Sequence, residues 1–328
     1  MKELLILLCR YPFDEKNSEI LSKLISAVPD WNDLVRLINA HGIIALAAYN
    51  IKAAGLENEI PAESMTVLEN GYRQSVVRNI WLTERWKEVN EILGNAGIKH
   101  ILLKGMALEH TIYEARGLRQ MNDNDILVRR EEALKAWHLL QKSGFQAKII
   151  KSPLHKNILP DIGKHLPSLF KDGYSIEIHH SLFGSEKKVT KDYIDPFNTM
   201  VEITVEDTEA FTLAKQIQLR YLISHFNRHL LEGSCQLRLY TDIILLDNTV
   251  EINIPESFIY EPDQEYKREF RKIAYKNALK SIPEKYRFQY LTGDIFPSVR
   301  WMKERYGCGW LKAVMYYPHR LGKLWWLV

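Results

Sequence analysis

Residues 101–128, ILLKGMALEHTIYEARGLRQMNDNDILV, restrict what this chain can fold into more than any other stretch. They read as a strand, a tight turn at Lys104-Gly105, a helix over 106–114, a loop at 115–117 and a second strand over 122–128. Asp123 and Asp125 stand at the start of that second strand with one residue between them. Side chains alternate along a strand, so both carboxylates are expected on one face, roughly 6–7 Å apart at ~3.3 Å per residue. Like charges that close repel unless a cation sits between them. Hard oxygen donors in this arrangement suit Mg²⁺ or Mn²⁺, which bind one or two carboxylates together with substrate phosphates. The helix that opens at Lys104-Gly105 adds unpaired N–H groups, a natural seat for phosphate.

The pattern on either side is helical. Residues 1–95 carry apolar side chains at helical spacing: Leu21, Leu24, Ile25 and Val28, then Leu34, Leu37 and Ile38 after Trp31. Pro61 opens a long amphipathic segment over 62–95 with Val67, Leu68, Tyr72, Val76, Ile80, Leu82, Trp86, Val89 and Leu93 as its stripe. Beyond the aspartate strand come a helix over 130–143, with Ala133, Leu134, Trp137 and Leu140 on one side, and a third strand over 145–150. A hairpin then turns at Lys171-Asp172-Gly173, with Glu177 and His179 on one face of its last strand and Ile176 and Ile178 on the other. A helix is expected over 206–231 with Phe211, Ala214, Ile217, Leu222 and Phe226 as its stripe, and another over 236–247. The reading is an α+β chain: a helical region at 1–95, a small mixed-sheet core at 96–205 and a helical region at 206–328.

Net charge is only +3 over 328 residues, too small for a dedicated nucleic-acid binder. The chain is 46% hydrophobic and 26% charged, enough apolar matter for a sizeable core. Cys9, Cys235 and Cys308 are odd in number and have no metal-ligand spacing, which favours thiols in a reducing, cytoplasmic compartment. The apolar opening MKELLILLCR reads as a buried helix rather than a signal peptide, and no apolar run reaches the ~18 residues of a membrane span.

Leu102-Leu103-Lys104-Gly105, then Arg119, Met121, Asp123, Asp125, Ile126, Leu127 and Val128, then Ile176-Glu177-Ile178-His179-His180, together resemble the uncharacterised nucleotidyltransferase family of the DNA polymerase β-like superfamily. His225, His229, Arg238 and Asp242 are similar to that family's H-x-x-x-H and R-x-x-x-D helical features. The resemblance implies a small mixed sheet flanked by helices. It also implies two Mg²⁺ (or Mn²⁺) ions held by Asp123, Asp125 and Glu177, and transfer of a nucleoside monophosphate from an NTP to an unidentified acceptor. Glu177 would also accept the acceptor's proton. Lys104, Gly105 and Arg119 would bind the nucleotide. The chain departs from the pattern at Gly105-Met106, where the superfamily carries Gly-Ser, and the spacing from Gly105 to Asp123 is long.

Each residue also has a plainer reading. Lys104 is otherwise a surface lysine at a strand end, and Arg119 a loop arginine paired with Glu114 or Asp123. His179 is a partner of Glu177 or a satisfied core histidine. His225 and His229, four apart on a helix, suit a structural or acceptor-pocket role better than zinc, since no third ligand is evident. Arg238 and Asp242, also four apart, read as an ion pair, or as lining of the acceptor pocket. The tail's Trp301, Trp310, Trp325 and Trp326 among Arg300, Lys303, Arg305, Lys312, Arg320 and Lys323 suit a helix lying on a membrane or on nucleic acid, but read better as helices packing aromatics on the body. The rival functions are a catalytically degenerate relative that binds a nucleotide or partner, which the missing serine favours, and a toxin-like transferase acting on protein or tRNA. Oligomeric state is not readable.

Overall fold

A computed structural model describes residues 1–156, 158–161, 163–183, 194–231, 236–260 and 264–325. Cys235, all of Trp326 and the side chains of Arg320, Lys323 and Trp325 lie outside the described residues. The chain is mixed α and β, and among the described residues helices stand before, among and after seven strands. It packs as two units. Met1–Asn90, Ile101–Asp125 and Asp195–Lys267 form the first, and Glu91–His100, Ile126–Ile194 and Arg268–Val328 form the second.

The first unit begins with α1 (Lys2–Leu8), α2 (Ser18–Ser26), α3 (Trp31–Ala40) and α4 (Ile44–Ala53). Helix α1 buries Leu4, Leu5, Leu7 and Leu8, as its apolar run demands. Asp30 caps α3 by accepting from the N–H groups of Asn32 and Asp33, which leaves Leu34, Leu37 and Ile38 to face the core. Helix α4 is apolar nearly all round and is buried accordingly. Its one buried amide, Asn50, donates to the carbonyls of Leu8 and Arg10 at 2.9 and 2.7 Å and ties α4 to the end of α1. Helix α5 (Ala62–Asn95) follows, 34 residues long. It buries Leu68, Leu82, Trp86 and Val89 but leaves Val67 and Ile80 in solvent, so its stripe is narrower than the spacing predicts.

Strand β1 (His100–Leu103) leads into α6 (Lys104–Glu109), which is shorter than predicted, and strand β2 is Asn124–Val128. The predicted helix over 206–231 is overturned at its start. Residues before and after Glu206-Asp207 form a hairpin of antiparallel strands, labelled β6 (Val201–Val205) and β7 (Thr208–Thr212), and helix begins only at Lys215. The alternating, β-branched VEITV and TEAFT favour strand, and Glu206, at φ +57°, makes the turn. Strand β7 pairs in parallel with β1, Leu102 opposite Thr212.

The second unit holds α7 (Ala133–Lys142), β3 (Gln146–Ala147), α8 (Pro153–Lys156), β4 (Leu169–Lys171) and β5 (Tyr174–His179). Helix α7 buries Ala133, Trp137 and Leu140, while Leu134 is partly in solvent. The three strands pair antiparallel in the order β3-β4-β5. Asp172 and Gly173 both take positive φ, as the Asp-Gly signal requires of a tight hairpin turn. The third strand is far shorter than the expected 145–150.

Helices α9 (Lys215–Leu231) and α10 (Leu237–Leu246) return to the first unit, whose core they complete with Leu222, Phe226, Leu239 and Ile243. Helices α11 (Gln264–Ser281), α12 (Glu284–Ile295), α13 (Val299–Tyr306) and α14 (Trp310–Trp325) end the chain. Among the described residues no helix is long and apolar enough to cross a membrane.

Candidate active site

Strand β1 ends at Leu103, and the backbone turns at once into α6 through Lys104, whose φ is +47°. A non-glycine residue in that region carries a strain of about 1 kcal/mol or more and persists only where its surroundings hold it. What holds Lys104 is Asp125: the ammonium donates to Oδ1 at 2.6 Å, and both side chains are largely buried. Gly105 is small for a different reason than the turn. A Cβ there would lie 2.6 Å from Arg119 Nη1 and 2.7 Å from Met121 Sδ.

Strand β2 begins at Asn124, so Asp125 is in the strand while Asp123 sits in the bend before it. Strand alternation therefore does not align the two carboxylates: Asp125 is buried and Asp123 half-buried. They nonetheless line one cavity of about 180 Å³ in the first unit, with Lys104, Gly105, Arg119, His225, His229 and Arg238.

Two of the expected pairings change. Asp242 takes Arg119, not Arg238: Nε and Nη2 of Arg119 reach its carboxylate at 3.0 and 2.8 Å, and Tyr113 donates its hydroxyl to Oδ1 at 2.9 Å. Arg119 thus pairs with neither Glu114 nor Asp123. Burial would lower its pKa, and the Asp242 carboxylate outweighs that and raises it. Arg238 has no acidic hydrogen-bond partner. Its Nη1 donates to the carbonyl of Gln120 at 3.0 Å, its stem lies against Gly42, and its buried Nε has no hydrogen-bond partner. Burial, and after it the like charge of Arg119, pull Arg238 down to about 10. His225 and His229 meet edge to face with centroids 4.6 Å apart on α9. Among the described residues no third ligand joins them at metal-binding distance.

Behind the cavity is a polar support that sequence reading does not reveal. Asn79, buried in the middle of α5, donates to Glu109 at 2.7 Å and to the carbonyl of Arg119 at 2.9 Å. Glu109 in turn accepts from the N–H of Gly117. Burial holds the Glu109 carboxyl above its ordinary pKa. These partners are 30 and 40 residues apart, with no spacing signal to connect them.

In the second unit, Glu177 and His179 are on β5, and His179 Nε2 lies 3.7 Å from Glu177 Oε2. Glu177 also accepts from the Ser168 hydroxyl at 3.0 Å. His179 is fully buried and its ring lies 5.2 Å from that of His165, so it is a partner of Glu177 within a histidine cluster.

Carboxylates, lysine and arginine gathered beside a strand–turn–helix form a site suited to handling phosphates. The profile of the uncharacterised nucleotidyltransferase family matches residues 28–255, and the chain belongs to that family. No curated protein matches the chain. Among solved structures it is similar to the lincosamide antibiotic adenylyltransferase LnuA with lincomycin bound. That likeness has a TM-score of 0.34 and 15% identity over 51% of this chain and 97% of that one, too distant to bear on function.

Proposed function

We propose that the chain transfers a nucleoside monophosphate from an NTP to an unidentified acceptor hydroxyl, amine or phosphate, releasing pyrophosphate, in a catalytic core spanning residues 96–205. The observation that carries this reading is the cavity of the first unit, where Asp123 and Asp125 meet Lys104, Arg119 and Arg238. Its ~180 Å³ is below the ~300–1,000 Å³ of a whole-ligand pocket, which suits the triphosphate end of a nucleotide.

The donor chemistry fits a divalent cation: Asp123 and Asp125 offer hard oxygens, and one of them already binds a cation, the Lys104 ammonium. In this proposal Asp123, Asp125 and Glu177 hold Mg²⁺ or Mn²⁺, which when bound neutralises charge developing on the transferred phosphate. Lys104 and Arg238 bring further positive charge to the phosphates. Arg119, committed to Asp242, shapes the pocket beside Gly105. Glu177 accepts the acceptor's proton, with His179 at its side. The setting we propose is reducing and cytoplasmic, and the unbridged Cys308 supports it.

A second reading is a relative that binds nucleotide without turnover. Met106 favours it: where the superfamily places a serine, this buried side chain takes a contact from the Thr83 hydroxyl at 3.7 Å and offers no hydroxyl of its own. Pyrophosphate release with Mg²⁺ and each NTP separates the two. Turnover by wild type and its loss in Asp125→Ala support transfer. Calorimetric binding of an NTP with no turnover, in the presence of lysate from the source cells, supports the second reading. Label from an α-³²P-NTP appearing on a protein or tRNA in that lysate would identify a macromolecular acceptor.

A further inference from the structure

Helix α14 turns its apolar side outward. Ala313 is fully buried and Tyr317 donates its hydroxyl to the carbonyl of Pro297, so these residues mark the inner face. Leu311 and Met315 lie opposite that face, and Val314 and Trp310 continue the exposed side round toward it; Trp310, Leu311, Val314 and Met315 are 60, 74, 40 and 77% exposed. Residues three and four positions apart are neighbours on a helix surface, and Trp310 with Val314, Val314 with Leu311 and Leu311 with Met315 are such pairs, so the four form a continuous stripe. The expectation that the tail packs its aromatics inward therefore fails at Trp310. A gathered apolar surface of this kind marks a place where something docks.

The surroundings narrow the occupant. Arg300, Lys303, Arg305 and Lys312 are all exposed, and Glu304 is the one acid within residues 299–318. Trp310 lines a groove together with Arg300, Lys303 and Lys148. A second copy stacked on this patch by a two-fold axis would set these cations against themselves. Nucleic acid binds by stacking bases on rings, and Leu311, Val314 and Met315 have none. Aliphatic side chains next to a tryptophan and a row of cations match the boundary between the headgroups and acyl chains of an anionic bilayer.

We propose that α14 is a peripheral anchor for anionic membranes. Trp310, Leu311, Val314 and Met315 enter the acyl boundary, and Arg300, Lys303 and Lys312 meet lipid phosphates. The helix lies along the surface.

The test is sedimentation of the full chain with vesicles of phosphatidylcholine alone or mixed with phosphatidylglycerol, with no nucleotide present. Wild type is expected to partition about 10-fold more strongly into the anionic vesicles, and salt should weaken the binding. Leu311→Glu/Met315→Glu should lose at least about 10-fold of that partition with an unchanged Tm, since both side chains lie in solvent. Equal partition of wild type into both vesicles, or undiminished binding by the double variant, would overturn the proposal. So would a wild-type dimer, or a wild-type RNA complex, that the double variant abolishes.

Discussion

Arg119 and Asp242, 123 residues apart in sequence, form a bidentate ion pair with side chains only 6 and 0% exposed. Tyr113 completes the carboxylate's shell. Removing one partner strands the other charge without water, so Asp242→Ala should cost about 3–5 kcal/mol. Replacing both partners with Arg119→Met/Asp242→Leu should cost much less than the sum of the single changes. Urea unfolding of the two single variants and the double variant checks this.

Lys104 separates backbone strain from charge. Lys104→Ala and Lys104→Gly both delete the ion pair to Asp125, but only glycine takes φ +47° without penalty. The glycine variant should be the more stable of the two by about 1 kcal/mol, read as a difference in urea midpoint at constant m. Both should lose pyrophosphate-releasing activity by about 10²-fold or more if the ammonium serves the phosphates.

Arg238 has a buried Nε without a hydrogen-bond partner and no carboxylate in its hydrogen bonds, a cost in the folded chain that a bound anion would offset. Arg238→Met should therefore leave the Tm unchanged or raise it. Affinity for inorganic pyrophosphate, measured by calorimetry, should fall about 10-fold. A loss of stability with unchanged pyrophosphate affinity would remove Arg238 from the anion-binding set.

Glu206 gives the fold an acid-sensitive clasp. Hydrogen bonds from Arg116 and then from Lys87 bring its pKa to about 2. A carboxylate whose pKa is depressed by folding stabilises above its unfolded value, and that contribution is lost as pH falls from about 4.5 toward 2. The site is well solvated, so screening leaves about 1 kcal/mol at pH 7. Glu206→Gln should thus be less stable than wild type by that amount at neutral pH. The gap should close as pH approaches 2, as followed by thermal melts across the range.

Much of the architecture is legible in the sequence because local signals agree with the packing. The apolar run of α1, the spacing of Leu34, Leu37 and Ile38 after Trp31 in α3, Pro61 before α5 and the Asp172-Gly173 turn each fix an element without help from distant residues. The stretch after residue 200 misleads because Glu206-Asp207-Thr208 imitates a helix start, and Phe211, Ala214 and Ile217 also satisfy helical spacing. Pairing of β7 with β1 decides the matter, and that partner is over a hundred residues away. The same limit applies in the cavity. Helical neighbours at i and i+4 predict Arg238 with Asp242, but Arg119, arriving from a loop, is the stronger bidentate partner. Lys104 with Asp125 and Asn79 with Glu109 are tertiary contacts that spacing alone does not contain.

Asn79 gives the long interval between Gly105 and Asp123 a physical meaning. One amide grips Glu109 on one side and the Arg119 carbonyl on the other, so the intervening chain is pinned at both ends to the side of α5. Between the pins Tyr113 reaches Asp242, Gly117 gives its N–H to Glu109 and Leu118 is buried, so the interval is moored along its length as well as at its ends. The added residues behave as a buttress, joining the wall of the cavity to the long helix behind it.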